Sequence, residues 1–199
     1  DGSTDSTSRV AKATLPQARV LRHKKNRGKG YSVRKGMMAA SNDMVLFTDS
    51  DLSTPFDEVK RMIPLLKRYD LVIASRNLPS SKIVVPQPKL RSLAGKALPF
   101  LVQALLIQGI KDTQCGFKLF RRDCARAVFP LTTIDRFGFD MEVIFLAHKL
   151  GYRVKETSVR WFNSGGSKVR LFPDAFMMFV DIFRIHINNL SGSYDEKKP

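Results

Sequence analysis

Chemistry is easiest to read in the run VLFTDSDLSTP, residues 45–55. The apolar stretch Met44 to Thr48 suits a buried strand, and two acids one residue apart, Asp49 and Asp51, follow it directly. Ligands of open α/β sheets bind beyond the carboxyl ends of strands. Two carboxylates so spaced can grip a hard divalent cation, Mg²⁺ or Mn²⁺, which keeps water and phosphate oxygens as its other ligands. Ser53 lies two residues beyond Asp51. An acid pair in an irregular loop is more often a solvated turn. Here the preceding strand and the helix start at Pro55, Asp57 and Glu58 favour the metal reading.

Basic residues gather in three places: Arg22 to Lys29, Lys82 to Lys96, and Arg160 to Arg170. All three read as loops or loop-to-helix junctions, where ligands are usually held. Across the whole chain, 34 Lys and Arg against 18 Asp and Glu give a formal charge of +16, which points to phosphorylated substrates, an anionic membrane surface or nucleic acid.

The elements that must position these groups follow from periodicity. Gln17 to Leu21 reads as a short strand, and the turn NRGKG leads into a helix ending near Ala40, with Val33, Met37 and Ala40 on one face. A helix after Pro55 presents Val59, Ile63 and Leu66, and Asp70 to Ser75 reads as the next strand. This alternation predicts an open α/β sheet with parallel strands. Residues 77–89 read as a Pro-containing loop, and helical spacing returns from Arg91 to Ile107. Then come a strand at Cys115 to Phe120, a short helix from Asp123, a helix from Phe139 closed by Gly151, and a strand from Arg153 to Trp161. A final amphipathic helix covers Phe172 to His186, before a flexible tail at 191–199.

At 199 residues and 43% hydrophobic content, a single domain over 1–190 is expected. Cys115 and Cys124 form no CxxC pair, so free thiols are expected rather than a zinc site or a disulfide scaffold. No apolar run reaches the roughly 18 to 20 residues of a membrane span.

Five segments in order, DGSTDST, NRGKG, DSDLSTP, IASR and DTQCGFKLF, resemble the inverting GT-A glycosyltransferases, and within them the dolichyl-phosphate β-glucosyltransferases. The resemblance covers Asp1 to about Leu171. It implies a GT-A, Rossmann-like open mixed sheet flanked by helices, and transfer of glucose from UDP-glucose to dolichyl phosphate for protein N-glycosylation. It also implies a divalent metal and action at the cytosolic face of the endoplasmic reticulum membrane. By the same resemblance Asp49 and Asp51 hold metal and diphosphate with Ser53 as a lesser contact, Asp1 is the second acid of the motif beside base and ribose, Arg27 and Lys29 lie in the nucleotide turn, and Arg76 lies beside the donor sugar. Because the chain starts at Asp1, the first strand of that family's fold is expected to be lacking. The isolated chain is then expected to fold poorly and bind UDP weakly.

Transfer to a phosphate oxygen needs little help from a base, since a phosphate monoester is largely dianionic at neutral pH. If a base acts, Asp112 is the first candidate and Asp140 the second, each having an orienting or capping role as its alternative. Arg91, Arg122 and Lys89 are candidates for the acceptor phosphate, and Lys168 and Arg170 add charge near the leaving group. The apolar final helix suits either the core or a membrane surface. Two rivals stand: a polyprenyl-phosphate mannosyltransferase using GDP-mannose, and a basic nucleic-acid-binding module. Aromatics are not interleaved with the basic clusters, so no nucleic acid is expected.

Overall fold

β1 (Met44–Thr48), β2 (Leu71–Ser75), β4 (Phe117–Arg121) and β5 (Val154–Ser158) build a sheet in the order β1-β4-β2-β5, in a computed structural model that describes residues 1–85, 102, 105–164 and 171–195. β4 runs antiparallel to both β1 and β2, while β2 and β5 are parallel. The expectation of parallel strands is therefore corrected: β1 and β2 do share a direction, but an antiparallel strand lies between them. The sheet is mixed, as the resemblance implied.

Alternation along these strands makes two cores. Val45, Phe47, Leu71, Ile73 and Phe120 face one side, and Val72, Ala74, Phe117 and Leu119 face the other. The first side is covered by α2 (Lys29–Ala39), α4 (Arg122–Val128), α5 (Phe139–Lys149) and α6 (Leu171–Leu190), with Met37, Val128, Ile144 and Ile182 buried against it. The second is covered by a short helical run, with α3 (Val59–Met62) between two 3₁₀ turns. There Met62 is buried and Ile63 is exposed, so the expected face Val59, Ile63, Leu66 becomes Val59, Met62, Leu66. Val59, Met62 and Leu66 stand three and four residues apart, which also describes one face of a helical run.

Other expectations shift for similar reasons. Gln17 to Leu21 forms no strand; the segment after it is held to Asp1–Gly2 through a backbone bond from Gly2 to His23, and among the described residues no neighbouring strand completes a ladder. The exposed helix α1 (Thr7–Thr14) was not foreseen. β3 (Lys82–Val85) arises inside the expected loop and pairs in parallel with β6 (Arg160–Phe162), so the single strand expected at 153–161 divides between two sheets. The helix expected from Arg91 to Ile107 falls mostly outside the described residues. Residues 191–195 pack down rather than trailing free, since Tyr194 is fully buried and donates its hydroxyl proton to Glu142 at 2.7 Å. Among the described residues no helix is long and apolar enough to cross a membrane.

α6 meets α5 through an acid. Asp181 is buried against Gly138, so close that a Cβ on that glycine would lie 2.2 Å from its Oδ2. Burial pushes the Asp181 carboxyl up to about 6; Arg184 opposes this and Glu142 reinforces it. The folded state therefore holds this proton more tightly than the unfolded chain, and the ionised form costs stability above about pH 6. Asp181→Asn is expected to stabilise the fold at pH 7.5 by on the order of 1 kcal/mol, allowing for solvent screening. That gain should shrink towards pH 4, where the wild-type carboxyl is itself neutral. Urea titrations of both proteins at several pH values measure it, and a pH-independent difference would contradict it.

Candidate functional site

The register puts most of the expected chemistry at one end of the sheet. Thr48 pairs with Phe117 and Ile73 with Lys118, so the loops after β1 and β2 and the loop before β4 share that end. Asp49 and Asp51, Arg76, and Asp112 leave from these three loops. The amino ends of α2 and α5 bring Lys29 and Asp140 to the same place.

Asp49 continues the β1–β4 pairing, its N–H donating to Gly116 O at 2.8 Å. Its carboxylate lies flat against Gly116, where a Cβ would come within 2.0 Å of Oδ2. Only glycine fits there. The turn closes with Leu52 N–H on Asp49 O at 3.2 Å, and Leu52 takes the left-handed conformation at φ 51°. A non-glycine residue so placed stores about 1–3 kcal/mol of strain, a feature that clusters at functional sites. Asp51 is exposed and accepts the Ser53 N–H at 3.0 Å, while the Ser53 hydroxyl donates to Ser164 at 3.2 Å. No group of three or more His, Cys, Asp or Glu able to hold a metal occurs among the described residues. Two carboxylates alone fit a Mg²⁺ or Mn²⁺ ion that takes its remaining ligands from water and phosphate.

Behind Asp49 lies a second layer of charge. Lys29 Nζ is 2.8 Å from Asp49 Oδ1 and 4.0 Å from Asp140 Oδ2. It sits over the rings of Phe47 and Phe139, at 5.5 and 5.7 Å. Burial alone would lower the Lys29 pKa, but Asp140 and Asp49 outweigh it and hold the ammonium charged. Asp140 is buried and paired with Lys118, which also donates to Cys115 O at 2.8 Å. Burial raises the Asp140 carboxyl despite the two ammonium groups pulling it down.

Asp112, the first candidate base, has the geometry of the orienting role that was its alternative. It is 1% exposed and accepts Arg76 Nε at 2.7 Å, Arg76 Nη2 at 2.8 Å, the Arg76 N–H at 2.9 Å and the Gln114 N–H at 3.2 Å. Burial would raise its pKa, but the guanidinium outweighs that and holds the carboxyl below the usual range. An acid with both oxygens engaged and a lowered pKa is a poor proton acceptor and a good clamp. It fixes Arg76, whose guanidinium also lies 5.6 Å from the Trp161 ring.

Asp1 is likewise engaged with backbone: its carboxylate accepts the N–H groups of Arg27 and Gly28, both at 2.8 Å, and so pins the entry to α2. Arg27 stacks over Tyr31 at 4.2 Å. Arg122 is the clear misplacement. Met44 pairs with Arg121, so Arg122 lies at the opposite end of β1 from Asp49, donating to Ser41 O and paired with Asp43 at 3.2 Å. Five residues of strand separate the two ends, about 16 Å. Arg160, from the third basic group, pairs with Asp57 and Glu58. Lys89, Arg91, Lys168 and Arg170 lie outside the described residues. The expectation of free thiols holds: Cys115 and Cys124 are buried and unbridged, with burial pushing them up to about 11 and about 12.

Sequence reasoning missed Lys118 and Gly116. Lys118 had a signal: a lone lysine within the apolar run Phe117 to Phe120, on the face that alternation turns inward, must have a buried partner.

The model of the family described as Glycosyl transferase family 2 matches residues 1–129. Dolichyl-phosphate beta-glucosyltransferase of Dictyostelium discoideum is 36% identical over 99% of this chain and 64% of its own length. The proteins of the same name from Drosophila melanogaster and Homo sapiens are 34% and 32% identical, each over 98% of this chain, and over 63% and 64% of their own lengths. The chain thus spans less than two thirds of these relatives. Among solved structures, glucosyl-3-phosphoglycerate synthase from Mycobacterium tuberculosis, in complex with Mn²⁺, UDP and glucosyl-3-phosphoglycerate, superposes with a TM-score of 0.63 at 20% identity. The match covers 96% of this chain and 67% of that one, a likeness of fold. With the family model matched over more than half of its residues, this chain belongs to glycosyl transferase family 2.

Proposed function

We propose that the protein containing this chain transfers glucose from UDP-glucose to dolichyl phosphate with inversion, giving dolichyl β-D-glucosyl phosphate at the cytosolic face of the endoplasmic reticulum membrane. The observation that carries the reading is the convergence of Asp49, Asp51, Lys29 and Arg76 at the carboxyl ends of β1 and β2, in a chain that aligns over almost its whole length with relatives of that name. Asp49 and Asp51 would hold a divalent ion, whose role when bound is to stabilise the departing diphosphate as a Lewis acid. Arg76, clamped by Asp112, presents a fixed guanidinium beside the donor sugar. Ser53 supports the Asp51 turn through its N–H, and its hydroxyl, donating its proton to Ser164, keeps its oxygen lone pairs for a lesser contact to the ion. Asp140 is the remaining candidate for any proton acceptor, its carboxyl being raised and next to Lys29.

The full-length protein in vesicles containing dolichyl phosphate tests this directly, with radiolabelled UDP-glucose and GDP-mannose offered in parallel. Lipid-linked glucose that disappears with EDTA is the expected product. Transfer from GDP-mannose instead, or transfer indifferent to chelation, would remove the reading.

The membrane surface belongs to the same proposal, and α6 supports it. Of nine exposed residues between 173 and 190, only Arg184 is charged, while Asp174 and Asp181 are buried. Phe176, Val180, Phe183, Ile187 and Leu190 follow one another at helical spacing along the outer side. A water-facing helix distributes its residues the other way round, and an apolar stripe whose one exposed charge is the basic Arg184 suits a lipid interface. A fluorophore on a cysteine replacing Ile187, in the membrane-reconstituted protein, is expected to be quenched by doxyl-labelled lipid. One replacing exposed Lys60, on the opposite side of the sheet, is expected not to be; equal quenching at both would count against the surface.

A further inference from the structure

Lys29 is, among the described residues, the side chain that occupies the carboxylate of Asp49. Its ammonium lies 2.8 Å from Oδ1, and the carboxylate has no room to withdraw, because Gly116 presses on it from the other side. The aromatic rings of Phe47 and Phe139 hold the ammonium in place, and Asp140 stands 4.0 Å away as a second acceptor. Lys118 already satisfies the other oxygen of Asp140. Lys29 and Lys118 against Asp49 and Asp140 therefore make a neutral set, with Asp51 outside it.

We propose that Lys29 is an exchangeable counter-ion: it neutralises Asp49 while the site is empty, and a divalent cation arriving at Asp49 and Asp51 expels it. This rests on the reading of those two acids as the metal ligands. A divalent ion on Asp49 competes for the same oxygen lone pairs and repels the ammonium at close range. The lysine stem is flexible and its side chain is 27% exposed, so the ammonium can leave without disturbing the fold. Once released, it is a free cation at the rim of the metal site, placed to meet an anionic diphosphate. Cation and nucleotide then assist each other through one side chain, because the lysine that binds the phosphates is available only after the metal has taken its place.

Two measurements on the full protein, both with Mn²⁺ alone as probe, test this. In the wild type, acetylation of Lys29 by a small acylating reagent, followed by peptide mass spectrometry, is expected to accelerate several-fold when Mn²⁺ is added. Electron paramagnetic resonance of free Mn²⁺ is expected to show Lys29→Met binding the ion about tenfold more tightly than wild type in the absence of nucleotide. A Lys29 acetylation rate unmoved or slowed by Mn²⁺, or unchanged or weaker Mn²⁺ affinity in Lys29→Met, overturns the proposal. Asp49→Asn separates the two levels: wild-type Mn²⁺ binding that does not depend on Asp49 would overturn the metal reading itself, and the counter-ion proposal with it.

Discussion

Asp49→Asn is expected to lower sugar transfer by about 10³-fold while leaving the fold almost as stable as before. The loss corresponds to roughly 4 kcal/mol of barrier, a size reasonable for removing a carboxylate that anchors a Lewis acid. The fold should tolerate the change because the amide has the shape of the acid and still fits the surface of Gly116. Lys29 loses its nearest partner but is partly exposed and keeps Asp140 at 4.0 Å. Partly exposed ion pairs of this kind contribute about 1 kcal/mol or less. Steady-state kinetics and a thermal melt on the same preparation check both halves. Near-normal turnover would refute the assignment of Asp49, and a collapsed melt would mean its carboxylate is structural instead.

The same residue marks how much was legible beforehand. Asp49 and Asp51 follow a strand whose apolar run is short and unambiguous, and α2, α4 and α5 begin or end where periodicity, Asp123 and Gly151 place them. Sheet order was not legible from local pattern. An alternating strand such as Phe117–Arg121 has the same side-chain period in either direction, so its antiparallel insertion between β1 and β2 is decided by tertiary packing. That insertion also determines which charges meet: it sends Arg122 to the far end from Asp49 and aims Lys118 at Asp140. The clamp between Asp112 and Arg76 was out of reach for the same reason, since 36 residues separate the two partners, one read as a candidate base and the other as lying beside the donor sugar. β3 was hidden by the prolines of the surrounding sequence, Pro79, Pro86 and Pro88, although Ile83, Val84 and Val85 carried a β-branched signal.

Lys118→Met should be the most damaging single change to stability, and the reason lies in what it strands. Lys118 and Asp140 are each about 1% exposed, and the Lys118 ammonium is divided between Asp140 and the carbonyl of Cys115. Removing the lysine leaves a buried carboxylate whose nearest remaining cation, Lys29, is 4.0 Å away and shared with Asp49. Breaking one side of such a pair costs about 3–5 kcal/mol, because the survivor keeps its desolvation penalty. Asp140→Asn alone should be costly too, since it strands the ammonium. The double variant should cost less than the sum of the two, as neither charge then remains, and a denaturant-unfolding cycle over the four proteins measures that coupling. The sign of the pH dependence follows from Asp140: burial already raises its carboxyl, and loss of Lys118 raises it further, so the folded state takes up its proton more readily than the unfolded chain. The penalty in Lys118→Met is therefore greatest at high pH and eases as acidification neutralises Asp140. Additive losses, or a penalty that grows towards low pH, would show that the pair is not held as a buried ion pair, and would remove with it the wall against which Lys29 and Asp49 are set.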